Sequence, residues 1–203
     1  GDQGNVIDLG GVDVSVWTSL TAVNIEGGNG NDTITGTINF SDVIDAGDGE
    51  DVVTVGSAGV TVDGGDGNDT ITGGDGDDVL SGGNGNDSIA GLLGADTIDA
   101  GDGHDRVEGG DETAGPGDSI IGGHGHDTLQ GGDGDDWING KSGDDQIFGG
   151  AGADLMHGGS GQDHMEGGPE DDTVNGHGYN DTILGNGGSD RTNAHSGHDF
   201  LDG

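Results

Sequence analysis

Residues 27–35 read Gly27-Gly28-Asn29-Gly30-Asn31-Asp32-Thr33-Ile34-Thr35. The stretch joins a glycine-rich turn carrying one carboxylate, Asp32, to a short strand carrying one aliphatic residue, Ile34. It returns nearly intact at 64–72, 73–81, 82–90 and 131–139. A fixed period this short marks a solenoid, in which a unit buries its apolar residue only against its neighbours.

Composition limits what else the chain can be. Only 27% of its residues are hydrophobic and 3% aromatic, against roughly 45–50% apolar in ordinary globular domains. With 41 acidic and 3 basic residues the net charge is −38, and 52 glycines raise the entropic cost of ordering the chain. Low hydrophobicity with high charge would by itself indicate disorder. Disorder does not require an aliphatic residue at every ninth position, so the periodicity argues for a fold. There is no cysteine for a disulfide, and no run of about 18 apolar residues for a membrane span. The chain opens on Gly1 without the basic and apolar regions of a signal peptide, as expected of a mature segment or a part of something longer. Strong negative charge argues against nucleic acid or anionic membrane as partners, and for cations.

Residues 1–26 are the least glycine-rich. Val12, Val14 and Val16 alternate with polar residues, as half-buried strands do. Counting back in nines gives units at 18–26 and 9–17, with Ile25 and Val16 where Ile34 sits; Trp17 and Leu20 add bulk. From Gly27 the units run on continuously. Residues 36–45 hold one extra residue, 55–63 place Val60 where the carboxylate should stand, and a four-residue excess near 112–115 reads as a surface loop beside Pro116. The count is 22 units, whose eighth position is apolar from Ile7 to Leu201 except at Thr192. No helical period appears. Such a column is buried only by stacking strands about 4.8 Å apart. The expected fold is all-β: a solenoid of two parallel sheets, about 11 coils of two nonapeptides each, forming a rod on the order of 50 Å long. Residues 1–26 would be degenerate strands continuous with the regular solenoid of 27–203.

The sixth position holds Asp32, Asp42, Asp51, Asp69, Asp78, Asp87, Asp96, Asp105, Asp118, Asp127, Asp136, Asp145, Asp154, Asp163, Asp172, Asp181, Asp190 and Asp199. Alternate units stack on one side, so these carboxylates form two columns. Left unpaired at about 5 Å spacing they would repel strongly. A hard divalent cation between successive turns removes the conflict. Calcium takes six to eight oxygens from carboxylates and carbonyls, which open glycine turns present.

The pattern Gly-Gly-x-Gly-x-Asp-x-aliphatic-x resembles the nonapeptide of RTX, or haemolysin-type calcium-binding, repeat proteins, whose fold is the parallel β-roll. The resemblance covers essentially 27–203. It implies that the sixth-position Asp of one turn and of the next turn on the same side share a calcium with turn carbonyls: Asp32 with Asp51, Asp69 with Asp87, Asp78 with Asp96. About 15 ions follow, and roughly 30 positive charges against the −38. Val60 should abolish the two sites flanking its turn, residues 1–26 should bind none, and Leu92 and Leu93 alter the turn before Asp96. The family also implies a secreted, extracellular or cell-surface protein exported by bacterial type I secretion.

Other chemistry is thinly supported. The eight histidines stand at mixed positions: His104, His126 and His198 at five, His124 at three, His157 at nine, His164 at seven, His177 and His195 at two. A zinc site needs convergent ligands, so they read as exposed polar positions. No His-Glu-x-x-His, Gly-x-Ser-x-Gly or cysteine nucleophile is present, and catalysis is not expected. Trp137, Tyr179 and Phe200 point outward, where surface packing is favoured over sugar contact. Residues 202, 203, 1 and 2 continue one register, and neither end shows the polar cap that solenoids need. The chain is therefore expected either to be cut from a longer array or to stack head to tail. The favoured function is a non-catalytic, calcium-folded extracellular structural or surface module. The alternatives are the repeat domain of a type I-secreted enzyme or toxin, aiding secretion and folding, and a carbohydrate-binding repeat module.

Overall fold

A computed structural model describes residues 6–8, 24–35, 43–56, 59–111 and 116–203. Among the described residues, twenty-one parallel strands form two sheets, of eleven and ten strands, and successive strands alternate between the sheets. No helix occurs among the described residues. This alternation makes a two-sheet β-solenoid in which each pair of nonapeptides closes one coil. Strand registers follow the repeat: Ile71 pairs with Ile89 in the larger sheet, and Val62 with Leu80 in the smaller.

Each strand places its eighth-position side chain inward and the seventh and ninth outward, as the two-residue period of a strand requires. From Ile34 to Ile183 every described eighth-position residue is at most 2% exposed. The core is thus two facing columns of single aliphatic residues, each contributing about 1.5–3 kcal/mol by burial. Half-buried Thr192 interrupts the column, and Leu201 beyond it is 46% exposed. Turn glycines are dictated by stacking. At Gly67, with φ of 142°, a Cβ would collide with the Gly49 carbonyl of the preceding coil.

The insertion near 112–115 is absorbed without loss of register. Ile98 pairs with Ile120, 22 residues on, whereas Leu80 pairs with Ile98 at the regular 18. The count at the N-terminal end needs correction. Ile7 pairs directly with Ile34, and Asn24–Asn29 is the only described strand between them, so three expected units span one coil. Counting in nines puts Ile7 and Ile25 in one sheet, whereas Val6–Asp8 pairs with Thr33–Thr35 in the larger sheet and Asn24–Asn29 with Val43–Asp48 in the smaller. The described strands therefore number one fewer than the 22 units. Val16, Trp17, Leu20 and Asp42 lie outside the described residues.

Candidate metal centre

The sixth-position carboxylates stand where each turn enters its strand. Fifteen of them, Asp32, Asp51, Asp69, Asp78, Asp87, Asp96, Asp105, Asp118, Asp127, Asp136, Asp145, Asp154, Asp163, Asp172 and Asp181, are no more than 2% exposed. Asp190 and Asp199 are half-buried. They form two ladders, one along each edge of the roll. On the edge leading into the eleven-stranded sheet, the amide of each Asp donates to Oδ1 of the Asp one coil on. That ladder runs unbroken through Asp32, Asp51, Asp69, Asp87, Asp105, Asp127, Asp145, Asp163, Asp181 and Asp199. Among the described residues the other edge begins at Val60, whose amide donates to Asp78, and continues through Asp96, Asp118, Asp136, Asp154, Asp172 and Asp190. The N···O distances run from 2.6 Å at Asp118 to 3.1 Å at Asp163.

This rung uses one carboxylate oxygen. The second, Oδ2, is buried and accepts no hydrogen bond in Asp51, Asp69, Asp78, Asp87, Asp105, Asp118, Asp127, Asp145, Asp154, Asp163, Asp172, Asp181 and Asp190. A buried acceptor without a partner costs about 1–3 kcal/mol, and more when it carries charge. Its direction is shown by the first glycine of each turn. A Cβ added at Gly64 would lie 2.5 Å from Asp69 Oδ2 and 2.6 Å from the Gly82 carbonyl of the next coil. At Gly122 the same pair of atoms, Asp127 Oδ2 and the Gly140 carbonyl, would lie at 2.6 and 2.9 Å. Carboxylate and carbonyl oxygens thus converge between coils in a space kept clear by glycine. An all-oxygen donor set carrying net negative charge is the set a hard divalent cation takes. The residues fit calcium.

Electrostatics point the same way. Burial pushes Asp69, Asp78, Asp87, Asp105, Asp118, Asp154 and Asp163 from the ordinary 3.8 up to about 6, although the amide from the preceding coil pulls each down. Asp145 rises to about 7, chiefly by burial, with the Asp127 and Asp163 carboxylates adding to the rise. Asp51, Asp127, Asp172 and Asp181 are also raised by burial. The ion pairs seen among the described residues lie elsewhere, joining Arg106 to Glu108 and His164 to Glu166 on the surface.

The pairs expected from the sequence come together: Asp32 meets Asp51, Asp69 meets Asp87, and Asp78 meets Asp96. Val60 keeps its place in the column but fills it with a buried apolar side chain. Leu92 takes the left-handed conformation, with φ of 87°, and both Leu92 and Leu93 are exposed, yet Asp96 stays buried on its ladder.

Two features were missed. Fifth-position side chains form an outer ladder of opposite sense, in which each accepts from the amide of the residue one coil on. On the first edge this runs without a break from Asn68 through Asn86, His104, His126 and Asp144 to Gln162. The recurrence of Asn and His at that position was the available signal. The second feature is a group of imidazoles. His157, His177 and His195 stack in sequence, with ring centroids 5.3 and 5.1 Å apart. His157 holds position nine and the other two position two, so the linear pattern hides its adjacency to them. Burial, and then the neighbouring His177, lowers the pKa of His157.

A search of curated proteins gave no match. A family model for the RTX calcium-binding nonapeptide repeat, in four copies, matches residues 24–38, 39–59, 55–89, 81–112, 117–147, 130–165 and 166–201. The matches blanket both carboxylate ladders, and the chain belongs to the RTX calcium-binding nonapeptide repeat family.

Proposed function

We propose that this chain is an extracellular, non-catalytic module whose fold is completed by calcium held between successive coils. One observation carries the reading: a buried carboxylate oxygen without a hydrogen-bond donor recurs at turn after turn, facing a backbone carbonyl of the next coil. Consecutive Asp residues on one edge would share an ion, giving nine positions on the first edge and six on the second. The ligands would be Asp32, Asp51, Asp69, Asp87, Asp105, Asp127, Asp145, Asp163, Asp181 and Asp199 on one side. On the other they would be Asp78, Asp96, Asp118, Asp136, Asp154, Asp172 and Asp190. Turn carbonyls such as that of Gly82 complete each set. Bound calcium supplies charge neutralisation at a site that hydrogen bonding leaves half-satisfied. The protein's own part is to hold carboxylates of adjacent coils in register and to keep a side chain out of the space between them.

Folding is then coupled to the metal. In calcium-poor cytosol the chain would remain an expanded acidic coil, compatible with type I export, and outside the cell it would condense into a rod. Circular dichroism titrated with calcium tests this: strand signal should rise with calcium, and a spectrum already complete in chelator at neutral pH overturns it.

A second reading concerns continuity of the rod. Phe200–Asp202 is an outermost strand of the larger sheet, with Phe200 57% and Leu201 46% exposed. A further coil, supplied by more repeats or by a second copy stacked head to tail, would cover both. Electron microscopy with and without calcium distinguishes filaments from single rods. The alternative roles, a secretion and folding aid for an attached enzyme or toxin and a carbohydrate-binding repeat, share the same calcium chemistry.

A further inference from the structure

From a groove on the outside of the roll, where one turn departs from the repeat, we infer a docking site for a basic polypeptide segment that carries aliphatic side chains. Leu92 and Leu93 fill the second and third positions of that turn. The coil before has Gly74 and Asp75 there, and the coil after has Gly110 and Asp111. Leu92 thus stands alone as a side chain in a row that runs Gly74, Leu92, Gly110, Gly132. The glycines beside it are fixed by stacking, because a Cβ at Gly110 or Gly132 would run into the carbonyl of the preceding coil. Leu92 is 44% and Leu93 41% exposed. With Ala90 and the bare glycines they line a groove of about 470 Å³, and the carboxylate residues Asp75, Glu108 and Asp111 line it as well.

Exposed apolar area rimmed by polar groups marks interaction sites, and the groove has the size of a ligand pocket, about 300–1,000 Å³. Backbone conformation adds a second argument. Leu92 is held at φ of 87°, in the left-handed region that L side chains resist. Lys141, His177, Asn186 and His195 share that conformation at the second position, but all four are polar. Only Leu92, among the described residues, combines it with an exposed aliphatic group. Charge then selects the occupant. A chain of net charge −38 repels nucleic acid, anionic membrane and side-by-side contact with a second copy of itself. Asp75, Glu108 and Asp111 stand outside the sixth-position ladders, so calcium held between coils leaves their charge in place. Glu108 is paired with Arg106 on its own strand. Asp75 and Asp111 supply carboxylates for a partner's lysine or arginine, while Leu92, Leu93 and Ala90 receive its aliphatic side chains.

The probe is an acetylated, amidated hexapeptide of alternating leucine and lysine, titrated into the full chain in excess calcium by calorimetry and by heteronuclear NMR. Leucine–glutamate and serine–lysine hexapeptides are the controls, and dodecyltrimethylammonium stands for a small cationic amphiphile. The expected result is saturable one-to-one binding, with amide shifts centred on Ala90, Leu92 and Gly110. Both control peptides should bind at least about tenfold more weakly. Leu92→Gly restores the residue of the repeat and relieves the left-handed conformation, so it should fold at least as well while losing affinity about tenfold or more. Joint Asp75→Asn and Asp111→Asn should weaken binding several-fold and reduce its dependence on salt. Circular dichroism in the same buffer separates lost binding from lost fold, and so from any failure of the calcium reading. Equal binding of the serine–lysine peptide overturns the inference in favour of general attraction of cations to an acidic rod. Unchanged affinity in Leu92→Gly overturns it by placing the peptide elsewhere. Binding of the amphiphile without the peptide overturns it in favour of a small ligand.

Discussion

The two edges of the roll share an inner carboxylate ladder and differ in the ladder outside it. On the first edge, fifth-position acceptors run unbroken from Asn68 to Gln162, so each turn is tied to the next by an inner and an outer hydrogen bond. On the second edge the outer rungs come singly, from Asp77 to Ala95, Asp135 to Ala153 and Asp171 to Ser189. Ala95, Gly117 and Ala153 offer no side-chain acceptor, so the rungs that would start from these three residues are missing there. The second edge also carries Val60, where a carboxylate is replaced by an apolar side chain. Turn geometry on one edge thus rests on protein hydrogen bonds as well as any bound cation. The other edge would lean more on the proposed cation.

Stepwise withdrawal of calcium should expose this difference with the largest effect. Hydrogen exchange, followed while calcium is chelated in stages, should release the amides of Asp96, Asp118 and Asp136 before those of Asp87, Asp105 and Asp127. Complete chelation at neutral pH should then abolish most strand signal. Simultaneous release of both edges would show that the outer ladder contributes nothing.

Single carboxylates come next. Asp145→Asn keeps an Oδ1 acceptor for the Asp127 amide, so the rung survives. It removes a charge shared by two candidate sites, and bound calcium measured by calorimetry should fall by about two ions, with a loss of about 2–3 kcal/mol of calcium-dependent stability. The reverse change, Val60→Asp, should add sites on the second edge when calcium is present. Without calcium it should destabilise, because it buries another unpaired carboxylate. Unchanged stoichiometry in both variants would place the ions elsewhere.

Acid should partly replace the metal. In the folded, metal-free chain Asp145 sits near pH 7 and Asp69, Asp78, Asp87, Asp105, Asp118, Asp154 and Asp163 near 6, against 3.8 for an ordinary Asp. The folded state therefore binds protons more tightly than the unfolded one. That contribution is fully present below about pH 4 and is lost as pH rises through 6 to 7. Calcium-free protein should gain strand signal on acidification to about pH 4–5, while apparent calcium affinity should weaken below about pH 6–7 as protons compete. Circular dichroism at several pH values, with and without chelator, reads both trends; greater metal-free stability at pH 8 than at pH 5 would contradict them.

The repeat made the core legible because one aliphatic residue per unit can be buried in only one way. The same logic placed the sixth-position Asp residues in two columns and paired Asp32 with Asp51, skipping the adjacent unit. Three features resisted sequence reading. The N-terminal register slipped because alternation of Val12, Val14 and Val16 specifies strand character without specifying where a coil closes. The fifth-position ladder was hidden in a variable motif position, where Asn, Asp, His and Glu all appear and only shared acceptor chemistry unites them. The imidazole group stayed hidden because positions nine and two belong to different columns, and become diagonal neighbours only once strands stack.

The smallest effect bears most directly on the difference between the edges. Asn86→Ala removes the acceptor that holds the His104 amide at 2.7 Å and breaks the continuous outer ladder at its second rung. An exposed hydrogen bond of this kind contributes about 0.5–1.5 kcal/mol, so the calcium midpoint should rise by up to about tenfold. Ala95→Asn makes the opposite change, offering the second edge an acceptor next to Gly117, where none now exists. If outer rungs hold turns ready for the cation, this substitution should lower the midpoint and delay exchange of the Asp118 amide, leaving the first edge unaffected. Should both substitutions shift calcium binding in the same direction, the fifth position would be acting through turn propensity alone. The asymmetry between the edges would then come from Val60.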